Sequence, residues 1–238
     1  MKPVSIMWTQ GVELSEARLV ITAVRDFLRL VYAIGHQAGL ALPPTTIRPF
    51  GTWYIPSRPE GSPYWGTPWY VDNSFDPVRQ QVIGARFLDL VREEPWQKSN
   101  PHWDVAVIDH DLIEQRPDHP GDRGDEFAFG MAIPELATVL SVYRLRGLVR
   151  SGQRERALRR LVLQQFGFVL GLPYRWRTRQ IEEINGHRYC ANHCVMQWFG
   201  TVEQLARAAD QQPEGVPLCD ECEHDVIQVI LTRGRGLN

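Results

Sequence analysis

All four cysteines of this 238-residue chain lie between positions 190 and 222, as Cys190-Ala191-Asn192-His193-Cys194 and Cys219-Asp220-Glu221-Cys222. Two close pairs separated by a few turns of chain can close one tetrahedral thiolate site, and a chain that does so must bring these two stretches together. The other readings of the same residues are two disulfides or four free thiols. His187, His193 and His224 stand near enough in sequence to replace one cysteine as ligand. Met1 to Gly11 lacks the charged-then-apolar pattern of an export signal, so a reducing, cytoplasmic setting with one structural zinc on Cys190, Cys194, Cys219 and Cys222 is expected.

Just upstream, Leu158, Leu161, Val162, Gln165, Phe168, Val169 and Leu172 follow the three-four spacing of a buried stripe. That spacing predicts a helix, and Gly171 with Pro173 predicts its stop. In the frame of a zinc-protease helix, the two metal-binding histidines and the glutamate base fall on Gln164, Phe168 and Gln165. Such a helix works because two imidazoles one turn apart meet one metal while the carboxylate takes a proton from the metal-bound water. Gln165 has no basic group to take that proton, Gln164 offers a weak neutral oxygen, and Phe168 offers no ligand atom. A core helix without hydrolytic zinc is therefore expected, and with it no generic peptidase activity.

The segment resembles the archaemetzincin family, whose pattern is HExxHxxGxxH running into a Cys, then a second Cys followed by x-Met, then CxxC. Gly171 matches the turn glycine, Met196 the Met-turn, and the four cysteines the structural zinc site. Upstream, Phe75 to Gln81 resembles the aspartate-proline-x-arginine-x-glutamine box, and Asp109 to Leu112 the Asp-Leu segment after a central strand. Phe127 to Ala132 and Val139 to Leu145 resemble the FGxA and SxYRL strands. The likeness spans roughly residues 45 to 225. It implies an α/β (α+β) fold with a metzincin-like mixed sheet, covering helices and a C-terminal zinc-clamped lobe at 187–225, all within one domain over 1–238. The chain departs from the pattern in the missing His and Glu, in a cysteine pair one residue tighter, and in an insertion that includes Tyr174 to Gly186. The third histidine thus has no clear counterpart: Tyr174 holds its place by spacing and Tyr189 by adjacency to Cys190.

Elsewhere, Val4 to Trp8 is expected as a strand, Leu14 to Gly39 as a helix capped at Ser15, Leu40 to Pro49 as an interrupted strand, and Val78 to Glu94 as a helix. Phe50 to Tyr70 sets Trp53, Tyr54, Tyr64, Trp65, Trp69 and Tyr70 among prolines and glycines, which predicts aromatic rings on turns that line a cleft or pack back on the body. Asp104 to Ile108 predicts a buried strand leading to Asp109-His110-Asp111, either a metal or acid-base site or a structural turn. The arginines between Arg144 and Arg160, with Arg175, Arg177 and Arg179, suit either a solvated face or a carboxylate site.

A net charge of -2 gives no reason to expect nucleic acid, and no apolar run is long enough to cross a bilayer. Two functional classes remain. One is a non-hydrolytic, zinc-stabilised pseudopeptidase whose cleft binds a peptide, a protein or a small amide through Gln164, Gln165, Tyr174, Trp65 and Trp69. The other is an enzyme with new chemistry in the old cleft, a hydrolase or transferase, using residues such as Gln164, Gln165, Tyr143, Tyr174 or His187.

Overall fold

The computed structural model describes residues 1–52, 65–114, 127–212 and 217–234. The chain opens with strand β1 (Val4–Trp8) and helix α1 (Leu14–Gln37), followed by β2 (Ile47–Gly51). Then come α2 (Thr67–Ser74), β3 (Phe75–Asp76), β4 (Gln81–Ile83), α3 (Gly84–Glu93), α4 (Pro95–Ser99), β5 (Trp103–Ile108) and β6 (Leu112–Ile113). β7 (Phe127–Ala128), β8 (Gly130–Ile133) and β9 (Ala137–Ser141) precede a 3-10 turn at Arg144–Gly147 and the long helix α5 (Ser151–Val169). The hairpin β10 (Ile181–Ile184) and β11 (His187–Cys190), then α6 (Val202–Gln211) and α7 (Asp220–Gly234), complete the order.

The main sheet runs β2-β1-β5-β9-β8, with every pair parallel except β8, which lies antiparallel to β9 on the edge. Alternate side chains of a strand serve opposite faces, and both faces of this sheet are covered. Val4, Ile6, Val105, Val107 and Leu140 join one core, with Phe27, Val31, Leu161, Val162 and Phe166 of α1 and α5. Met7, Ala106, Ile108, Ala137 and Val139 join the other, with Tyr70, Val71, Phe87 and Leu88 of α2 and α3. The fold is the α/β class expected, and α5 is the helix that its apolar stripe predicts.

Several local expectations are corrected. Helix α1 is capped at Glu13, whose N–H donates to Glu16 Oε2 at 2.9 Å, rather than at Ser15. The second strand begins at Ile47, beyond Pro43 and Pro44. Between 78 and 94 the helix starts only at Gly84, because Asp76 accepts from the N–H groups of Val78 and Arg79 in a turn. Val82 then enters a strand register opposite Leu112. In the aromatic stretch, residues 53–64 with Trp53, Tyr54 and Tyr64 lie outside the described residues, and Thr67 to Tyr70 are helical rather than a turn, Pro68 standing in the first turn where its missing N–H costs nothing. Trp65 and Trp69 pack their rings 4.5 Å apart in the α2–α3 core.

Three of the four upstream segments meet in one structural network. Arg144 donates to Asp111 through Nε and Nη2 at 2.7 Å each, Gln81 Nε2 donates to Asp111 Oδ2 at 2.9 Å, and Ser141 Oγ donates to the His110 carbonyl at 2.6 Å. The Asp109-His110-Asp111 segment is thus a turn braced by an arginine fork, with the Asp111 carboxyl held below its usual range against the opposing effect of burial.

Candidate metal centre and adjoining cleft

Cys190 closes strand β11, Cys194 follows on a tight turn, Cys219 precedes α7, and Cys222 lies in its first turn. Backbone bonds fix this knuckle: Cys190 N–H donates to Met196 O at 3.0 Å, and Val195 N–H donates to Pro217 O at 2.9 Å, which joins the two cysteine stretches. The sulfurs of Cys190 and Cys219 stand 3.7 Å apart, as do those of Cys194 and Cys222, and all four lie within 4.8 Å of one another. A tetrahedral site with metal–sulfur bonds of about 2.3 Å has sulfur–sulfur edges of about 3.8 Å. A disulfide would bring sulfurs to about 2.0 Å, and these cysteines are free. The four thiols therefore fit one tetrahedral zinc.

No histidine is needed to complete the site. His187 Nε2 lies 2.7 Å from Glu114 Oε1, His224 Nε2 lies 3.2 Å from Gln228, and among the described residues no other group of three or more His, Cys, Asp or Glu donors converges. Thiols this close shift one another. The Cys190 thiol is lowered to about 7 by its hydrogen bond with Cys194, while Cys194 and Cys222 are pushed up by their sulfur neighbours. A bound cation removes that conflict by favouring all four thiolates, and the positive end of α7 favours the two at its start.

Around the sulfurs stand residues that cysteine spacing does not reveal. Arg177, from the inserted segment, buries its guanidinium against Cys222 Sγ at 3.3 Å and Asp225 Oδ2 at 2.8 Å, and donates to Gln180 O at 2.8 Å. Arg160 is also buried and donates to Cys194 O at 2.6 Å and Gln212 Oε1 at 2.6 Å. Asn192 Nδ2 reaches Cys219 Sγ at 3.5 Å. Of the arginines expected as a solvated face or a carboxylate site, these two instead point inward. The one available signal was the nearness of Arg177 to Cys190 in sequence, which a run of arginines obscures.

The helix that lacks the protease ligands keeps its packing. At Gly167 an added Cβ would lie 2.5 Å from Met196 Sδ, so the methionine turn sits directly beneath the helix and any larger residue would have to displace that side chain. The helix ends in paired bonds, Gly171 N–H to Phe168 O and Leu172 N–H to Gly167 O, each 2.9 Å. Gly171 adopts φ +85°, the left-handed turn that such an ending requires.

Beside it opens a cavity of about 460 Å³ lined by Gln165, Phe168, Tyr174, Tyr189 and His187, with β8 as its opposite wall. Gln165 lies across Gly130, where an added Cβ would stand 2.8 Å from its amide carbon. Its Oε1 lies 3.4 Å from Thr138 Oγ1, and among the described residues its amide nitrogen meets no acceptor. Gln164 points elsewhere: its amide donates to Gln197 O at 2.6 Å. Phe168 meets Tyr189 edge to face at 5.6 Å, and Tyr174 OH pairs with Thr232 Oγ1 at 3.0 Å. Of the cleft residues expected from sequence, Gln165, Phe168 and Tyr174 line this cavity, whereas Gln164 is tied to backbone and Trp65 and Trp69 belong to the core on the far face of the sheet.

The chain is 26% identical over 154 residues, 65% of its own length and 67% of the relative's, to a protein named Archaemetzincin from Nanoarchaeum equitans (strain Kin4-M). The chain is an archaemetzincin homologue. The solved structure of a zinc-dependent peptidase from Methanocorpusculum labreanum (strain Z) shares its fold, with a TM-score of 0.56 at 16% identity, covering 94% of this chain and 99% of that one. No family profile matches the chain. In this archaemetzincin homologue the inserted segment forms the β10–β11 hairpin and places both candidates for the third ligand, Tyr174 and Tyr189, at the cavity.

Proposed function

We propose that this archaemetzincin homologue is a zinc-clamped, non-hydrolytic binding protein whose cleft takes an extended peptide or a peptide-like amide. The carrying observation is the contrast of the two neighbouring glutamines, one closed against the backbone and one facing a cavity of about 460 Å³. No imidazole pair or carboxylate stands on the helix at the positions where a metal-bound water would need them. What supports a peptide is the edge strand. Ser141 N–H bonds to Phe129 O, so by the alternation of an antiparallel ladder Gly130 and Ala132 turn their N–H and C=O groups away from β9, toward the cavity side. An added strand could pair there while the amide of Gln165 bonds one more backbone group and the Phe168 and Tyr189 rings cover an apolar side chain. Arg175 lines the same cavity and suits a carboxylate, whereas Arg177 is committed to Cys222. Four unlinked cysteines suit a reducing compartment such as the cytoplasm, and among the described residues no helix is long and apolar enough to cross a membrane.

Selection from a library of random peptides displayed on phage, followed by titration calorimetry, tests the reading. Selected peptides are expected to bind in the micromolar range, to lose binding with Gln165→Leu, and to emerge uncleaved. Chelator-sensitive cleavage by the pure protein, or selected peptides indifferent to Gln165→Leu, would overturn it. One observation favours the second class, new chemistry in the cleft: His187 and Glu114 form an exposed pair at the cavity wall, 2.7 Å apart, as a general acid-base pair would. Turnover in a hydrolase panel that disappears with His187→Gln would select that reading.

A further inference from the structure

One wall of the cavity is built from the inserted segment, and the same segment touches the metal centre. Tyr174, Arg175, His187, Arg188 and Tyr189 face the cavity, and β11 runs straight into Cys190. Arg188 gathers the turn by donating to the carbonyls of Tyr174 at 3.2 Å, Arg175 at 2.5 Å, and Arg177. From that turn the side chain of Arg177 runs inward to Cys222 and Asp225. Its other nitrogen binds the Gln180 carbonyl, which also accepts from the N–H of Ala191 next to Cys190. One guanidinium thus bonds a cysteine sulfur, the helix that carries it, and the base of the hairpin.

Four thiolates around a divalent ion carry two negative charges in excess. A buried excess of that kind needs cations or N–H donors close by. Arg177 supplies both, and Asp225 holds it in place.

We propose that Arg177 is the positioning residue through which the four-cysteine metal centre holds the cavity wall, raising metal affinity by its charge and its N–H···S bond and ordering residues 174–189 by its fork. Metal occupancy and the shape of the cleft are then coupled: a chain that loses its zinc loses the anchor of one wall.

The test uses the full chain with zinc or cobalt as probe. Metal affinity is measured by chelator competition, the thiolate-to-cobalt charge-transfer bands by absorption, and wall order by hydrogen exchange over 174–189 at saturating zinc. Arg177→Met is expected to weaken zinc binding 10- to 100-fold, as loss of a group bonded to a metal ligand usually does. It should also shift the cobalt bands and speed exchange in the wall while metal is still bound. Arg177→Lys keeps the charge without the fork, so it should recover much of the affinity and little of the wall protection. Arg233→Met, on α7 with Cys222 and Asp225 but bonded to Glu135, serves as the structural control and should lower stability without moving affinity or bands. If Arg177→Met does not fold, Arg177→Gln, which keeps an N–H donor without the charge, carries the same expectations in weaker form. Affinity within twofold of wild type with unchanged bands would refute the metal half, and unchanged exchange at saturating zinc would refute the wall half. None of these readouts needs a cleft ligand, so failure here is separable from failure of the peptide reading.

Discussion

The four-cysteine lobe and the Gln164–Phe168 turn of α5 pack against the same core, and they offer opposite chemistry. In the lobe the donors converge, with sulfur pairs at 3.7 Å and buried arginines around them. On the helix the corresponding positions carry Gln164, Gln165 and Phe168, and what the structure shows there is packing, at Gly167 over Met196 and at Gly171 in its left-handed turn. A structural metal is part of the folding free energy, whereas a catalytic metal is carried by a scaffold that can stand without it. The lobe therefore stays or falls with its ligands, and the helix with its packing.

That contrast can be broken in a definite order. Cys222→Ser should have the largest effect, since thiolate zinc contributes about 10–16 kcal/mol of apparent binding energy to small zinc-dependent folds. Zinc content should fall below one per chain and α7 should become protease-sensitive; a fully folded, zinc-free protein would show that the lobe packs without metal. Gly167→Ala should cost about 1–3 kcal/mol through overpacking on Met196, read as a lowered denaturation midpoint with zinc content unchanged. Gln164→Leu should cost about 1 kcal/mol, because the half-buried Gln197 carbonyl loses its donor.

A third region, remote from both, should answer to pH. Glu94 is fully buried on the other face of the sheet beside Tyr70 and Asp104, and burial first, then the charge of Asp104, raises its carboxyl to about 8. The folded chain holds this proton where the unfolded chain has lost it, so the linked stability is present at low pH and declines as pH rises through about 8. The loss between pH 7 and 8 should be on the order of 1 kcal/mol, absent in Glu94→Gln and unaffected by zinc supplementation. Smallest is Gln165→Leu, expected to cost about 0.5–1 kcal/mol, because the side chain is buried but lines the cavity and its one bond, to Thr138 Oγ1, is long at 3.4 Å; a larger destabilisation would place Gln165 with Gln164 as a packing residue.

The periodic elements were legible from the residues alone. The stripe from Leu158 to Leu172 predicted α5, the short apolar run from Val105 to Ile108 predicted a buried strand, and two close cysteine pairs predicted one tetrahedral site, because each signal is carried by residues near one another in sequence. The short strand β4 was hidden in an apparent helix because three residues have no period of their own and Val82 is placed by its partner Leu112. That α5 carries two amides and a phenyl ring where the family's pattern has two imidazoles and a carboxylate was also plain from sequence, since it depends only on which atoms the side chains possess. Sequence could not separate Gln164 from Gln165, because neighbours on a helix differ by about 100° in direction and only the packed surroundings decide which one meets Gln197 and which the cavity. Nor could it choose Arg177 among ten nearby arginines. A guanidinium becomes a partner of the metal centre only where the hairpin folds back on α7, and that contact spans 45 residues of chain that tertiary structure alone brings together.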